Sequence, residues 1–257
     1  MIDVLPVRTP TVPPATHTNC YRFGRVVIDP ASPYPDEQER LASWAEGVDT
    51  ILLTHHHLDH VGGVADLVAR TGAKVYAHTD ARVAFPVDVR LEDGDVIDTG
   101  ATTGAARLRC LHTPGHADGH LCFLDEQTGD IVAGDMVAGF GTIVLIEPEG
   151  HLATYLGSLS RLLPLAGRLL PAHGPVLESG PAVLRQYIAH RHARTEQIAA
   201  ALAGGPRDPM GIAAIVYAGV PGVHLGLAAV QVRTHLTWLI ERGRVVARPG
   251  GTFTLVE

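Results

Sequence analysis

Residues 54–60, THHHLDH, concentrate side chains that bind metals directly after the apolar run ILL. His55 and His57 are two positions apart, so an extended backbone directs both to the same side. Asp59 and His60 follow at the turn into a helix and can face a second position about 4 Å away, as in two-metal sites. Imidazole and carboxylate ligands suit zinc, with manganese or iron as alternatives. The segment therefore predicts a site for divalent cations.

Four side chains cannot fill two metal sites, and the chain offers further candidates at glycine-rich turns. They are His116 in TPGH, Asp135 in AGD and His173 in PAHG. A single histidine or aspartate at a turn is most often a cap or a surface residue. A set of seven is hard to attribute to structure alone, because buried polar groups without partners are costly. Each of the three follows an apolar run, so we expect all seven to meet at one edge of a sheet.

The elements that position these residues follow from apolar spacing and from glycine and proline punctuation. A strand over TILLT, a helix after the histidine cluster and a strand over KVYAH predict a β-α-β unit. The cluster then lies at the carboxyl end of a strand, where α/β sheets place their chemistry. Residues 2–8 and 20–29 predict short strands. Further strands are predicted in VRLEDGDVIDTG, ARLRCLHTPG, GHLCFLDEQTGDIVAGD, GTIVLIEP and RLLPAHG, and helices over PYPDEQERLASWAEG and HLATYLGSLSRLLPL.

The pattern changes from about Gly180. Three helical segments follow, PAVLRQYIAHRHARTEQIAAALAGG, DPMGIAAIVYAG and LAAVQVRTHLTWLIERG, and then a hairpin over RVVARPGGTFTLVE. Three helices and a terminal β-hairpin are the order of a winged helix. We therefore expect an α/β catalytic domain over residues 1–180 and a small winged-helix-like domain over residues 181–257.

Composition limits the class of protein. An apolar fraction of 46% in 257 residues is ample for a core, and a net charge of −7 does not suit a molecule built as a whole for nucleic acid. Cys20, Cys110 and Cys122 form no CxxC pair, which indicates a reducing cytoplasm rather than a disulfide framework. Neither an export signal nor a membrane span is predicted from the sequence.

The combined motifs resemble a known family. HHHLDH, followed by TPGH, GD and AHG, is similar to the HxHxDH pattern of the metallo-β-lactamase superfamily over roughly residues 1–180. The resemblance implies an α/β fold, the αββα sandwich, and two divalent metal ions. It implies that His55, His57 and His116 bind the first metal, that Asp59, His60 and His173 bind the second, and that Asp135 bridges both. Asp59 and Asp135 would then also serve catalysis, because two cations lower the pKa of a shared water that attacks carbon or phosphorus.

Other histidines lie near the motifs. His56 alternates with the predicted ligands along an extended segment, so we expect it to point away from them. One of His78, His112 and His120 is a candidate for orienting a ligand from behind. Each of these three, taken alone, is more often structural.

Two substrate classes stay open. HTPGHADGH resembles a segment of hydroxyacylglutathione hydrolases, which indicates a thioesterase or lactonase acting on small acyl substrates. The core motifs and the tail resemble the β-lactamase-like protein 2 group, some of whose members are endoribonucleases that cleave single-stranded RNA. The second resemblance covers nearly the whole chain, so an endoribonuclease is the favoured interpretation. A secreted β-lactamase is disfavoured because no export signal is visible.

Charge in the tail bears on this choice. Residues 190–257 hold seven Arg or Lys and four Asp or Glu, which gives this segment a net charge of +3. Since the whole chain has a net charge of −7, the first 189 residues have a net charge of −10. Arg233, Arg242 and Arg244 are the predicted nucleic-acid-binding residues, and Arg191, Arg194 and Arg248 could add to them. Simple packing of the tail on the core is the alternative. RNA cleavage predicts affinity that falls with salt, whereas thioester hydrolysis predicts a neutral, apolar cleft. No membrane partner is expected, and a homodimer is left open.

Overall fold

The computed structural model describes residues 2–101 and 107–256. Two mixed β-sheets stack face to face in this part of the chain. The first sheet has six strands in chain order: β1 (Asp3–Arg8), β2 (His17–Phe23), β3 (Val26–Ile28), β4 (Thr50–Leu52), β5 (Lys74–His78) and β6 (Val89–Leu91). The second contains β7 (Val96–Asp98), β8 (Arg107–His112), β9 (Leu121–Asp125), β10 (Ile131–Gly134) and β11 (Leu169–Pro171), in the spatial order β11-β10-β9-β8-β7.

Helices cover the outer face of each sheet. The first four are α1 (Pro35–Trp44), α2 (Leu58–Val61), α3 (Val64–Thr71) and α4 (Leu152–Leu162). Leu41 of α1 and Leu67 of α3 pack with Ile51 on one face of the first sheet. Leu52, on the other face, packs with Phe123 of the second sheet, and α4 covers the far side of that sheet. The αββα order of layers is therefore confirmed.

The predicted β-α-β unit is present. β4 lies parallel to both β3 and β5, and its apolar side chains are buried on both faces, as the interior strand of a covered sheet requires. α3 ends at Gly72, whose φ of 70° is the left-handed conformation that commonly terminates helices. The helical segment after the histidine cluster is not continuous, because it is interrupted at Gly62. A Cβ there would lie 2.7 Å from the carbonyl oxygen of Ala31, so a close approach of two backbones explains the interruption.

The C-terminal part has the predicted order of elements. It contains α5 (Gly180–Ala201), α6 (Pro209–Val216), α7 (Leu225–Glu241) and an antiparallel hairpin of β12 (Val245–Arg248) and β13 (Thr252–Leu255). Ile198, Ile212 and Leu236 belong to an apolar cluster of their own, while Leu184 and Trp238 join the cluster on the outer face of the second sheet. The tail helices therefore pack against the core as well as against each other. Among the described residues, no helix combines the length and the hydropathy needed to cross a bilayer.

One predicted strand is wrong. GTIVLIEP, residues 141–148, forms no strand, and the carbonyl groups in its middle accept hydrogen bonds from side chains instead of from a neighbouring strand. The apolar run is buried on one side for a different reason, since Ile143 and Leu145 pack in the cluster beneath α4 and α5. Burial alone and pairing in a sheet can produce the same apolar pattern in a sequence. Residues 141–148 are buried on one side but are not paired in a sheet.

Candidate metal centre

The seven predicted ligands follow four separate strands. His55, His57, Asp59 and His60 come after β4, at the turn into α2, and His116 lies in the loop between β8 and β9. Asp135 comes directly after β10, and His173 comes two residues after β11. β10 and β11 are parallel, with Gly134 opposite Pro171, so their carboxyl ends share one edge of the second sheet. The chain thus brings all seven side chains to one place.

Three imidazoles form the first group. The Nε2 atom of His55 lies 2.9 Å from Nδ1 of His57, and Nε2 of His116 lies 3.1 Å from the same Nδ1 atom. His55 and His116 are buried, and His57 is partly exposed. Three ring nitrogens converging at these distances are a group that could hold a metal ion.

Asp135 lies between this group and a second one. Its Oδ1 atom is 3.5 Å from Nε2 of His60 and 3.4 Å from Nε2 of His173. Its Oδ2 atom is 3.4 Å from Nε2 of His116, in the first group. Asp59 completes the second group, with Oδ2 3.6 Å from Nε2 of His173. One carboxylate therefore faces both groups, which is the geometry that a bridging ligand requires.

The chemistry of the donors fits a pair of divalent cations. Nε2 of His60 and Oδ1 of Asp135 are fully buried and have no hydrogen-bond partner among the described residues. A buried carboxylate oxygen and a buried imidazole nitrogen that lack a hydrogen bond are costly, and the ion-pair contact of 3.5 Å between them does not supply one. They face each other across the centre, so a cation coordinated by both would satisfy them. Nitrogen and oxygen donors of this kind suit zinc and related metals.

Lowered pKa values keep the imidazoles of His55 and His57 in the form that binds a cation. Burial, and next the neighbouring His116, lower the pKa of His57 to about 3. Burial and then His60 hold the pKa of His55 well below its usual value. Both rings are therefore unprotonated at neutral pH and present lone pairs, which is the form that binds metals.

The second group behaves differently. Burial acts to lower the pKa of His60, but the carboxylates of Asp135 and Asp29 outweigh it and raise that pKa well above its usual value. For Asp135 burial acts to raise the pKa, but His60 and His173 lower it overall. Asp135 is therefore ionised at neutral pH, and a cation at this point would take the place of the proton on His60.

Hydrogen bonds from behind fix the ring nitrogens. Nδ1 of His60 donates to Oδ2 of Asp29 at 2.8 Å, Nδ1 of His116 to the carbonyl of Val144 at 3.0 Å, and Nδ1 of His173 to the carbonyl of His17 at 3.0 Å. Each bond holds the Nδ1 proton on the side of the ring away from the centre, so the neutral form of the ring carries its lone pair on Nε2 and its orientation is fixed as well. Asp29 was not identified from the sequence. The available signal was an aspartate at the end of the apolar run VVI, on the strand next to β4.

The remaining histidines divide into two kinds. His120 orients a predicted ligand, since its Nε2 atom accepts the backbone N–H of Asp135 at 3.2 Å and its ring lies 5.1 Å from that of His55. His78 and His112 stack with ring centroids 4.1 Å and planes 15° apart. With Asp80 these two rings form a further group of side chains, separate from the seven predicted ligands, that could hold a metal ion.

Glu149 lies at the rim of the centre. Its Oε2 atom is 3.2 Å from Nε2 of His56 and 3.8 Å from Nε2 of His57. Nε2 of His56 thus faces the same carboxylate oxygen as Nε2 of His57 and does not point away from it, and these three side chains form a further group that could hold a metal ion. Arg82 approaches the other oxygen of Glu149 at 3.5 Å.

A pocket of about 350 Å³ opens onto the centre. His57, Asp59, His116, Asp135 and His173 lie at its base. Its walls come from two segments, residues 11–15 and residues 138–149. The apolar lining residues are Val12, Pro13, Pro14, Ala15, Ala138, Phe140, Ile143, Val144, Ile146 and Pro148, and the charged ones in the walls are Glu147 and Glu149. Among the described lining residues none is Arg or Lys.

The tail arginines differ in their surroundings. Arg233 and Arg242 are exposed, and the guanidinium of Arg242 lies 4.4 Å from the centre of the Trp238 ring. Arg244 is also exposed but is bound to Glu196, with two N–O distances of 2.6 and 2.7 Å. Arg191 is 3% exposed, so the expectation that it attracts a phosphate backbone is wrong. It lies on the buried face of α5, and helical spacing alone did not identify that face.

Comparison with known proteins identifies the family. Residues 13–173 match the metallo-beta-lactamase superfamily. The lactamase-like protein vrtG of Penicillium aethiopicum is 34% identical over 255 residues, covering 91% of this chain and 79% of that protein. The beta-lactamase-like protein 2 homolog of Drosophila melanogaster is 31% identical over 252 residues, covering 89% and 84%. The lactamase-like protein aptB of Emericella nidulans is 36% identical over 197 residues, and the match spans 72% of this chain but only 60% of that protein.

Solved structures agree with this result. The metallo-beta-lactamase family protein TTHA1429 from Thermus thermophilus superposes with a TM-score of 0.84 at 23% identity, covering 99% of this chain and 98% of that one, and shows the same fold. TTHA1623, solved in a di-iron-bound form, has a TM-score of 0.55 at 30% identity and covers 70% of this chain and 97% of its own. The chain therefore belongs to the metallo-beta-lactamase superfamily, a family of metal-dependent hydrolases.

Proposed function

We propose that this enzyme hydrolyses small acyl substrates, thioesters or lactones, with two divalent cations held by the seven side chains. The observation that carries the substrate class is the pocket. Its volume of about 350 Å³ suits a small molecule, and apolar side chains dominate its walls. A thioester presents a neutral carbonyl and an apolar acyl chain, which match such walls. A phosphodiester is anionic, and beyond the cations themselves it would meet Glu147 and Glu149 without an Arg or Lys in the described lining.

The seven side chains would divide as the resemblance implies. His55, His57 and His116 would hold one cation, Asp59, His60 and His173 the other, and Asp135 would contact both. Bound cations would lower the pKa of a coordinated water toward neutrality and polarise the substrate oxygen. Asp59 lines the pocket and would orient that water toward the acyl carbon. Hydrolysis joins the water oxygen to this carbon and breaks its bond to sulfur or to the lactone oxygen, which leaves with a proton.

The metal is proposed to be zinc, with manganese or iron as alternatives. The donors are imidazole nitrogens and carboxylate oxygens, which suit all three. TTHA1623, a structure at 30% identity, holds two irons, so iron in particular stays open for this chain. Reconstitution with each metal would decide between them.

Single-stranded RNA is the second candidate substrate. Similarity to the beta-lactamase-like protein 2 homolog over 89% of the chain supports it, because an endoribonuclease is what the resemblance to that group implies. In this alternative a winged-helix-like domain, residues 181–257, would follow the catalytic domain, residues 1–180. The exposed Arg233 and Arg242 would then contact phosphates outside the pocket, with Arg244 after release from Glu196. A homodimer and a cytoplasmic location remain predictions.

A substrate panel separates the two candidates. Acetyl, butyryl and octanoyl thioesters, a lactone series and labelled single-stranded RNA are each incubated with zinc-, manganese- or iron-loaded enzyme and with chelator. We expect turnover of thioesters or lactones that rises with acyl length and is lost with chelator. His57→Ala should lower kcat/KM on the order of 100-fold or more, since even partners of ligands contribute 10–100-fold. His192→Ala, an exposed histidine on α5, is the matched control. Rapid RNA cleavage with inert acyl substrates would reverse the order of the candidates.

Ile146→Ser tests the apolar wall directly. Ile146 lines the pocket and is 55% exposed, so an acyl chain would cover a side chain that water now contacts. Losing part of that burial should reduce the preference for octanoyl over acetyl thioester by about 10-fold. Ile215→Ser removes an isoleucine of 46% exposure on α6, outside the pocket, and should leave the preference unchanged. Equal preferences in both variants would show that the acyl chain lies elsewhere.

A further inference from the structure

Three consecutive carbonyl groups connect the C-terminal helices with the metal centre. The carbonyl of Ile143 accepts a hydrogen bond from Arg191 on α5, and that of Leu145 accepts bonds from Gln231 at 2.9 Å and from Thr234 at 3.0 Å on α7. The carbonyl between them, of Val144, accepts the Nδ1–H of His116. Residues 143–145 are thus held from one side by the tail helices, and they bind a predicted metal ligand on the other.

The side chains that hold this segment are an unfavourable choice for stability alone. Arg191 is 3% exposed, and among the described residues no carboxylate forms an ion pair with it. Its guanidinium bonds the carbonyl of Ile143 and, at 3.1 Å, Oε1 of Gln231, and it lies 5.2 Å from the centre of the Tyr155 ring, while its Nε atom has no hydrogen-bond partner among the described residues. Burying a cation without a counter-ion is costly, and well-packed apolar residues often give equal or greater stability. The arrangement therefore indicates a requirement for directed hydrogen bonds at this point.

We propose that Arg191, Gln231 and Thr234 are positioning residues for the metal centre. They fix residues 143–145, and the carbonyl of Val144 then holds His116 in the tautomer whose Nε2 faces the cation. The same segment supplies Ile143, Val144 and Ile146 to the pocket wall. The proposal rests on the assignment of His116 as a ligand but not on the choice between acyl and RNA substrates.

The tail thereby has a role that needs no nucleic acid. α5 and α7 act on the site through their hydrogen bonds to the backbone of residues 143–145, not through contact with substrate. Substituting Arg191, Gln231 or Thr234 should first weaken the hydrogen bond that orients His116. Turnover should fall only as a consequence of weaker metal binding. The most direct readouts are therefore metal affinity and the state of the His116 ring.

Paired substitutions on the tail helices test the proposal. Gln231→Leu, Thr234→Val and Arg191→Met remove the donors, and Thr234→Ser keeps the hydroxyl. Gln186→Leu and Arg185→Met, exposed on α5, and Thr237→Val, partly exposed on α7, are the matched controls. Zinc affinity is measured by competition with a chromophoric chelator, and the His116 ring is observed by imidazole nitrogen NMR in the metal-free protein.

We expect Gln231→Leu to weaken one of two zinc sites by about 10-fold, the lower end of the effect of removing a ligand's supporting partner. The Nδ1–H signal of His116 should broaden or shift. Thr234→Val should give a smaller loss in the same site, and Thr234→Ser should match the wild type.

Folded variants that bind zinc at both sites within about twofold of the wild type, with an unchanged His116 signal, would overturn the proposal, since partners of ligands ordinarily contribute more than that. Arg191→Met has the greatest risk of unfolding, and in that event Gln231→Leu and the Thr234 pair decide. His116→Ala tests the assumption beneath: if it keeps both zinc ions, the ligand assignment fails independently. A wild type that binds two zinc ions without hydrolysing any acyl substrate would end the proposed activity and leave the positioning role intact.

Discussion

At the scale of single residues, the centre depends on partners that stand behind the predicted ligands. Asp29 is the most informative of these, because it is 2% exposed and its two oxygens accept bonds from both Thr54 and His60. A carboxylate behind a ligating histidine raises the basicity of the ring and fixes its direction. Residue types and their spacing in the sequence identified all seven proposed ligands as candidates. They missed Asp29 because it is separated from His60 by 31 positions and belongs to no recognisable spacing pattern.

Asp29→Asn should weaken zinc binding by about 10–100-fold at one site, the usual range for such partners. The substitution keeps the shape of the side chain and tolerates the φ of 51° at this position, since Asn adopts the left-handed conformation readily. It removes the negative charge behind His60. Asp49→Asn, which alters an exposed ion pair with Arg25, is the control. Unchanged competition titrations for Asp29→Asn would show that this carboxylate only stabilises the fold.

At the scale of elements, the loop between β8 and β9 places His116 by docking on α4. The Oγ of Ser158 donates to the carbonyl of Pro114 at 2.7 Å, and the N–H of His151 donates to the carbonyl of Gly115 at 2.9 Å. Gly115 has a φ of 117°, and a Cβ there would lie 2.3 Å from the backbone nitrogen of Tyr155. The position next to His116 therefore needs glycine for two separate reasons.

Gly115→Ala should lower the free energy of unfolding by more than about 2 kcal/mol, because strain at a positive φ costs about 1 kcal/mol and a backbone clash adds to it. Gly94→Ala is the matched control, since Gly94 has a φ of 89° but no atom within 4 Å of the added Cβ. Denaturant unfolding with chelator present measures both. An equal loss of unfolding free energy in the two variants would mean that α4 shifts to accommodate the added Cβ. The loop would then not be packed tightly against α4.

The elements also show what the sequence could and could not predict. Glycine punctuation and apolar spacing located the β-α-β unit, the strand ends that carry the ligands, and all three tail helices. The predicted strand over residues 141–148 was wrong because side chains distant in the sequence satisfy its carbonyls. Gln231 and Thr234, which bond the carbonyl of Leu145, lie 86 and 89 positions from it. The prediction that Arg191 attracts a phosphate backbone was wrong for a related reason. The buried faces of α5 and α7 are partly polar, and Thr195 and Gln231 are also buried there. Periodicity identifies apolar faces and does not detect a polar one.

At the scale of the whole molecule, the proposed centre would couple metal binding to folding. The proposed ligands come from four strand ends in two sheets, so the complete centre exists only in the folded chain. A ligand that binds only the folded state stabilises it by about 2.7 kcal/mol when present at about 100 times its Kd. Removal of the proposed cations would therefore act on the entire structure and not only on the pocket.

Addition of a strong chelator should lower Tm by about 5–10 °C, the shift that such an energy produces in a domain of this size. Differential scanning calorimetry with and without excess zinc measures it. A His57→Ala, Asp59→Ala double variant should show a much smaller difference between the two conditions. A wild type whose Tm ignores chelator would mean that the centre does not load.

The most direct test of the account is anomalous diffraction at the zinc edge from crystals of the zinc-loaded protein. We predict two peaks in the pocket, about 3.5–4 Å apart. One should be coordinated by His55, His57 and His116, the other by Asp59, His60 and His173, with Asp135 touching both. A single peak, no peak, or a peak at His78 and His112 instead would contradict the dinuclear centre and the hydrolytic chemistry inferred from it.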